Sequence, residues 1–344
     1  MKWYEKKKDN NDIVIASRIR LSRNVKDLPF SEKMDREQAE ELTNRVRTFV
    51  DEANEDSIVE LKFRPLSEMK ERKRMSLAES SMLSQRMVKK EVAGGLASTY
   101  DESLSVMVNE MDHLRIQAII GGKDMTSAYS MANTMDEMMS RDFEYAYSEK
   151  YGFLTSRPSE IGTGLRASYL LHIPFIEYNK QVGLINEELT NMGYKLRGKY
   201  GEGTTPGGSV YQISNLRTLG VSEMEIIAGL DVVTEQIIER EMRLRHGMLK
   251  KDPLAIEDRI CKAYGILKYA RRLTLKEAMG CLSNLRFGLS EGIIGPEDDF
   301  DIHRLMIEIQ PANLSIKAGK DLPAEERDEF RADYIREKLA NTDI

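Results

Sequence analysis

The chain has 344 residues, 41% of them hydrophobic and 31% charged, with a formal charge of −6. That balance excludes a broad basic field for nucleic acid, and no apolar stretch reaches the length of a bilayer span. The N-terminal MKWYEKKKDNND lacks the apolar core of a signal peptide, so the expected compartment is the cytoplasm. Cys261 and Cys281 are twenty residues apart with no CxxC, which argues against a disulfide framework or a zinc site and reads as two buried thiols.

In chain order, DIVIASRIRL (12–21) alternates, with Ile13, Ile15, Ile19 and Leu21 on one face and Val14, Ala16, Arg18 and Arg20 on the other. As a strand it sets Arg18 and Arg20 side by side, roughly 7 Å apart at the usual rise per residue. Further strands are expected at 103–110, 144–156, 164–173, 194–198 and 208–215, with helices at 35–54, 65–90, 123–141 and 178–192. Methionines 131, 135 and 138 fall at helical spacing and read as core. From 221 onward the pattern is helical. Ser222 with Glu225 forms one capping box and Thr274 with Glu277 a second, while Pro253 and Pro323 stand where helices open. The expected fold is α+β: a mostly antiparallel sheet flanked by helices over 12–252, then a small all-helical domain over 253–344 suited to dimerisation or regulation.

Neither a GxxxxGK[ST] loop nor a dinucleotide fingerprint is present. Arginines instead gather at strand edges beside glycine or acidic residues: Arg115 after NEMDH, Arg166 after IGTG, and Arg197 opening RGKYGEG. Glycine permits close backbone approach, and the planar guanidinium pairs phosphate oxygens two at a time. With Arg18, Arg20 and Glu202 these residues suit phosphoryl transfer, which depends mainly on positioning and charge neutralisation. His172 and His303, among apolar neighbours, read as structural, and His113 as a residue that orients its turn.

The ordered motifs ASRIRLSRN, NEMDHLRI, GTGLRAS, RGKYGEG and QISN resemble those of the ATP:guanidino phosphotransferases, and most closely their bacterial protein-arginine kinase branch. The resemblance implies Mg-ATP as cofactor, with no metal ligand from the protein. It implies a nucleotide-binding set of Ser17, Arg18, Ile19, Arg20, Arg115, Arg166, Ala167, Ser168, Arg197, Gly198 and Gly201. It also implies two carboxylates, Glu110 and Glu202, that hold the acceptor guanidinium and take its proton. The chemistry requires such a base, because a free guanidinium has a pKa above about 12.

Four family positions are altered. Met111 stands where a second acidic residue, the family's usual base, is expected, Arg157 where a cysteine lines the guanidine pocket, Glu160 where an asparagine is usual, and Ser81 where a histidine is usual. Near the C-terminus RDEFRA resembles a phosphoarginine-binding motif, which implies roles for Arg327, Asp328 and Arg331; the two arginines stand one helical turn apart. Two functions stay open. One is a kinase that phosphorylates exposed arginines of proteins and marks them for proteolysis, with a zinc-binding activator protein, a Clp-type protease and further copies of itself as implied partners. The other is a silent relative that binds nucleotide and phosphoarginine as an adaptor. Family members acting on small guanidines carry a helical domain before the arginine strand, whereas eleven residues precede Asp12, which points to a protein acceptor.

Overall fold

A computed structural model describes residues 2–5, 13–55, 59–90, 93–199, 207–295 and 301–340. The first strand, β1 (Val14–Arg23), is followed by the amphipathic helix α1 (Arg36–Glu55), which buries Leu42, Val46, Phe49 and Val50. Next come β2 (Lys62–Pro65), α2 (Glu71–Glu79), α3 (Gln85–Val88), β3 (Gly95–Ser98), β4 (Leu104–Val108), β5 (Leu114–Gly121) and α4 (Met125–Met139). A small hairpin of β6 (Tyr147–Ser148) and β7 (Gly152–Phe153) leads to β8 (Leu165–His172), α5 (Pro174–Tyr178), α6 (Val182–Asn191), β9 (Tyr194–Gly198) and β10 (Val210–Asn215). The helical region comprises α7 (Glu223–Lys251), α8 (Pro253–Tyr269), α9 (Leu275–Ser290), α10 (Ile302–Glu308), α11 (Pro311–Lys317) and α12 (Ala324–Ala340).

Eight strands form one sheet in the order β2-β3-β4-β5-β1-β8-β10-β9, and every neighbouring pair is antiparallel. The α+β expectation therefore holds. One face carries the main core: Ile19, Leu21, Ile116 and Ala167 meet α1, α4, α6 and α7. The other face is shared. Helices α9, α10 and α12 cover Ile15, Ala16, Ile119 and Val210, while α2 and α3 cover Leu96 and Met107.

Several expectations need correction. The alternation of β1 breaks at a register shift between Val14 and Ala16, so Val14 joins Ile19 in the main core and Ile15 turns to the helical tail. The helix expected over 65–90 is two short helices, because Ser81 adopts a left-handed φ of 67°. The strand expected over 144–156 contains only the β6–β7 hairpin, turned at Gly152 with φ 74°. Strands β2, β3 and β5 were not foreseen, although β5 alternates, with Arg115 and Gln117 between Leu114, Ile116 and Ala118. Cys261 is exposed, not buried, on the outer face of α8.

Helix ends follow the expected chemistry. Ser222 and Glu225 complete a reciprocal capping box, Asp252 caps α8 ahead of Pro253, and of the second box expected at Thr274 and Glu277 the Thr274 half is in place, accepting from the Glu277 amide at 3.2 Å.

Candidate active site

The antiparallel register explains why distant arginines meet. Arg20 lies opposite Gln117 of β5 on one side and Arg166 of β8 on the other. Arg115 lies opposite Ser22, Arg18 opposite Ser168, and Arg197 opposite Gln212. Directly opposed residues project from the same face, so five arginines from four strands point to one side of the sheet. They line a cavity of about 310 Å³, closed by Ser81, Ser84, Glu110, Arg157 and Lys199.

The same alternation turns three side chains of the expected nucleotide set away from the cavity. Ser17, Ile19 and Ala167 point to the opposite face: Ile19 and Ala167 are core, and Ser17 is occupied by Gly122 O at 2.8 Å and the Asp124 amide at 2.7 Å. Ser168 stays at the site through Arg18 Nε at 3.4 Å, and Gly198 lines the cavity. Glu202 and Gly201 lie outside the described residues.

The NEMDH turn is built to hold Glu110 rigidly. Asn109 has a positive φ of 58°, a conformation Asn tolerates, and Lys90 Nζ donates to the carbonyls of Asn109 and Glu110. Asp112 points away from the cavity and accepts from Asn24 Nδ2 at 2.8 Å and the Ser156 amide at 2.6 Å. His113 Nδ1 accepts from the Val25 amide at 2.9 Å while Nε2 faces Pro29 O at 2.7 Å, so this histidine ties the turn to the end of β1.

Two buried carboxylates face the arginines. Glu110, 2% exposed, pairs with Arg115 at 3.0 Å and accepts from the Met111 amide at 2.6 Å. Glu160, 5% exposed, sits among three guanidinium groups: Arg115 and Arg157 at 3.5 Å and Arg166 at 3.8 Å. It also accepts from Ser22 Oγ at 3.0 Å. Burial pushes both carboxyls up, but the guanidinium charges beside them outweigh it and hold both below the usual carboxylate range. Met111, beside them, offers its thioether to Arg157 Nε and has no basic oxygen.

The arginines pay for this concentration of charge. Burial, then Arg166 and Arg115, lowers Arg18 to about 10; burial, then Arg18, Arg166 and Arg115, lowers Arg20, and burial, with Arg197, Arg157 and Arg115, lowers Arg166 against the opposing charge of Glu160. Lys199 falls to about 8 through burial and Arg18. The buried Nε atoms of Arg20, Arg115 and Arg166 have no hydrogen-bond partner among the described residues. A polyphosphate satisfies both deficits at once, since it brings negative charge and acceptor oxygens.

Sequence reasoning underweighted Glu160 and missed Lys199, Gln212 and Ser214. The signal existed for the last two, which alternate within QISN: Gln212 accepts from Arg18 at 2.5 Å and Ser214 from Arg166 at 3.2 Å.

In the tail, Arg331 is 1% exposed and donates to Leu273 O at 2.7 Å and Ile309 O at 3.2 Å, besides pairing with Asp328. Arg327 is half-buried, and Asp328 keeps about a quarter of its side chain exposed.

Residues 41–244 match the family described as ATP:guanido phosphotransferase, C-terminal catalytic domain, and residues 253–343 match the protein-arginine kinase McsB C-terminal domain. The protein-arginine kinase of Desulforamulus reducens is 38% identical over 339 residues, which covers 98% of this chain and 95% of that one. That of Symbiobacterium thermophilum is 38% identical over 342 residues, with 98% and 96% covered. A duplicated taurocyamine kinase from Schistosoma mansoni, solved with transition-state analogue components, matches at a TM-score of 0.60 and 26% identity. That match covers 67% of this chain and 33% of the duplicated enzyme, so the chain spans about one third of its length. The fold is also that of a lombricine kinase, at a TM-score of 0.58 and 21% identity.

Proposed function

The chain belongs to the ATP:guanidino phosphotransferases, and from that premise we propose that it transfers the γ-phosphoryl group of Mg-ATP to arginine side chains of proteins, marking them for regulated proteolysis. One observation carries the reading: five arginines from four strands converge beside two buried carboxylates, and the buried Nε atoms of Arg20, Arg115 and Arg166 have no hydrogen-bond partner among the described residues. Matches to protein-arginine kinases over nearly the whole chain support a protein-borne acceptor.

When bound, Mg-ATP supplies the phosphoryl group and, as ADP, the leaving group. Arg18, Arg20, Arg115, Arg166 and Arg197 hold the phosphates and neutralise charge that grows on their oxygens during transfer. Glu110 orients the acceptor guanidinium, its own carboxylate fixed by Arg115 and the Met111 amide. Glu202 takes the proton, because Met111 has no atom that can. The phosphotransferase unit comprises 12–252 and the regulatory unit 253–344. In the second unit, Arg327 and Asp328 meet phosphoarginine while Arg331 fixes Asp328 in place. A zinc-binding activator protein, a Clp-type protease and self-association in the cytoplasm complete this reading. Among the described residues no helix is long and apolar enough to cross a membrane.

A second reading, a silent adaptor that binds nucleotide and phosphoarginine, is favoured by the contact of Arg157 with Met111 and Glu160 in place of an acidic residue and a cysteine. Transfer of labelled γ-phosphate to an arginine-rich unfolded protein separates the two. Acid-labile phosphoarginine that disappears in Glu202→Ala supports the kinase; nucleotide binding without transfer supports the adaptor.

A further inference from the structure

Arg157 is an unusual member of the cavity wall. It belongs to no strand of the sheet, and it opens a single 3-10 turn, Pro158–Glu160, that folds Glu160 back beneath it. Its guanidinium therefore faces a carboxylate three residues later, at 3.5 Å, while its Nε lies against Met111. The two partners differ in access: the Arg157 side chain is 39% exposed and that of Glu160 only 6%. Arg157 thus stands between solvent and the buried carboxylate. Across the same cavity Arg86 is also partly exposed, at 44%, and pairs outward with Glu32. An acceptor arginine approaching this mouth finds Arg86 already paired with the exposed Glu32, but meets Arg157 before it meets Arg157's own buried carboxylate partner.

We propose that Arg157 is a specificity-determining residue that selects acceptor arginines carrying an adjacent carboxylate in the substrate chain. The inference rests on the protein-arginine acceptor argued above and adds the sequence context of that arginine. A neutral or basic neighbour leaves the acceptor guanidinium to approach Arg157 uncompensated, and like charges at a few ångströms are unfavourable. A neighbouring Asp or Glu takes Arg157 as its partner. That exchange draws Arg157 off Glu160, whose carboxylate then faces the incoming guanidinium together with Glu110. No bond is made or broken in this step; one ion pair is replaced by two. Discrimination comes from both the attractive contact and the repulsion of the wrong neighbour.

The test uses the full chain with a non-hydrolysable Mg-nucleotide and fluorescent unfolded peptides, each with one arginine flanked by Asp, Ala or Lys, read by anisotropy. The expected order is Asp over Ala over Lys, with roughly two- to fivefold for each step, the range for partly exposed ion pairs. The order weakens at high salt. Arg157→Gln should flatten it and Arg157→Glu should reverse it. Both substitutions are made at a partly exposed side chain, and an unchanged melting temperature checks the fold. Equal affinities, a preference that survives Arg157→Gln, or no binding of the Asp peptide overturns the proposal. Because the readout is binding, loss of transfer in the Glu202→Ala assay bears on the proposed reaction and leaves this outcome separately decided.

Discussion

Arg20 in the cavity and Arg331 in the tail belong to motifs that look alike on paper, each with a second arginine a few residues away. Their surroundings differ in kind. Arg331 has two backbone carbonyls and Asp328 around it, so its charge and donors are already answered by the fold. Arg20 faces Arg18, Arg166 and Arg115, with Glu160 as its attractive neighbour, and its buried Nε has no partner among the described residues. The lesson is that a ligand site is recognised by unanswered charge, and the number of arginines does not measure it. A structural arginine lowers the energy of the folded chain alone. A ligand-binding arginine raises it until the ligand arrives.

That contrast can be broken by substitution. The largest effect is expected at Arg331→Leu, which strands Asp328 and two carbonyls: a loss of about 3–5 kcal/mol in denaturant unfolding with nucleotide affinity unchanged. Arg20→Gln should do the reverse. Nucleotide affinity falls by about 1.5–3 kcal/mol, as for a lost charged hydrogen bond, while the melting temperature holds or rises because a buried like charge is gone. Calorimetric titration with Mg-ATP and thermal melts on both variants check the pair; a matching loss of stability in Arg20→Gln would erase the distinction. Glu160→Gln removes the internal counter-charge. It should destabilise the ligand-free protein by about 1–3 kcal/mol and tighten nucleotide binding, because phosphate no longer competes with a carboxylate for Arg115 and Arg166.

The smallest effect concerns pH. Lys199, lowered to about 8 by burial and Arg18, is a cation below that value and neutral above it. Phosphate favours the cation, so nucleotide affinity should be level up to about pH 7 and fall a few-fold as pH rises through 8. Lys199→Met should flatten the profile between pH 7 and 9. A fall that persists in that variant would assign the titration to another group.

Much of the cavity was legible beforehand. Arg18, Arg20, Arg115, Arg166 and Arg197 all reach it, because a side chain's face on a strand follows from parity along the chain. Parity also shows why Ser17, Ile19 and Ala167 do not. The bulge near Ile15 was not legible, since it arises where β1 must satisfy β8 and the tail helices together. Nor was the break at Ser81, where a left-handed residue ends what composition reads as one helix. In the tail, the spacing of Arg327 and Arg331 was legible, and the inward turn of Arg331 was not.

The sequence by itself determined the antiparallel α+β character, the helical tail with its caps, and the identity of the cavity-lining arginines. These follow from local periodicity, capping chemistry and residue type, which act over a few residues. Only the tertiary structure decided that Glu160 lies at the centre of the arginine cluster, that the partly exposed Arg157 pairs with it, and that Arg331 is held by backbone carbonyls. Those outcomes depend on which strand lies beside which and on what burial leaves unpaired. Both are properties of distant segments brought together.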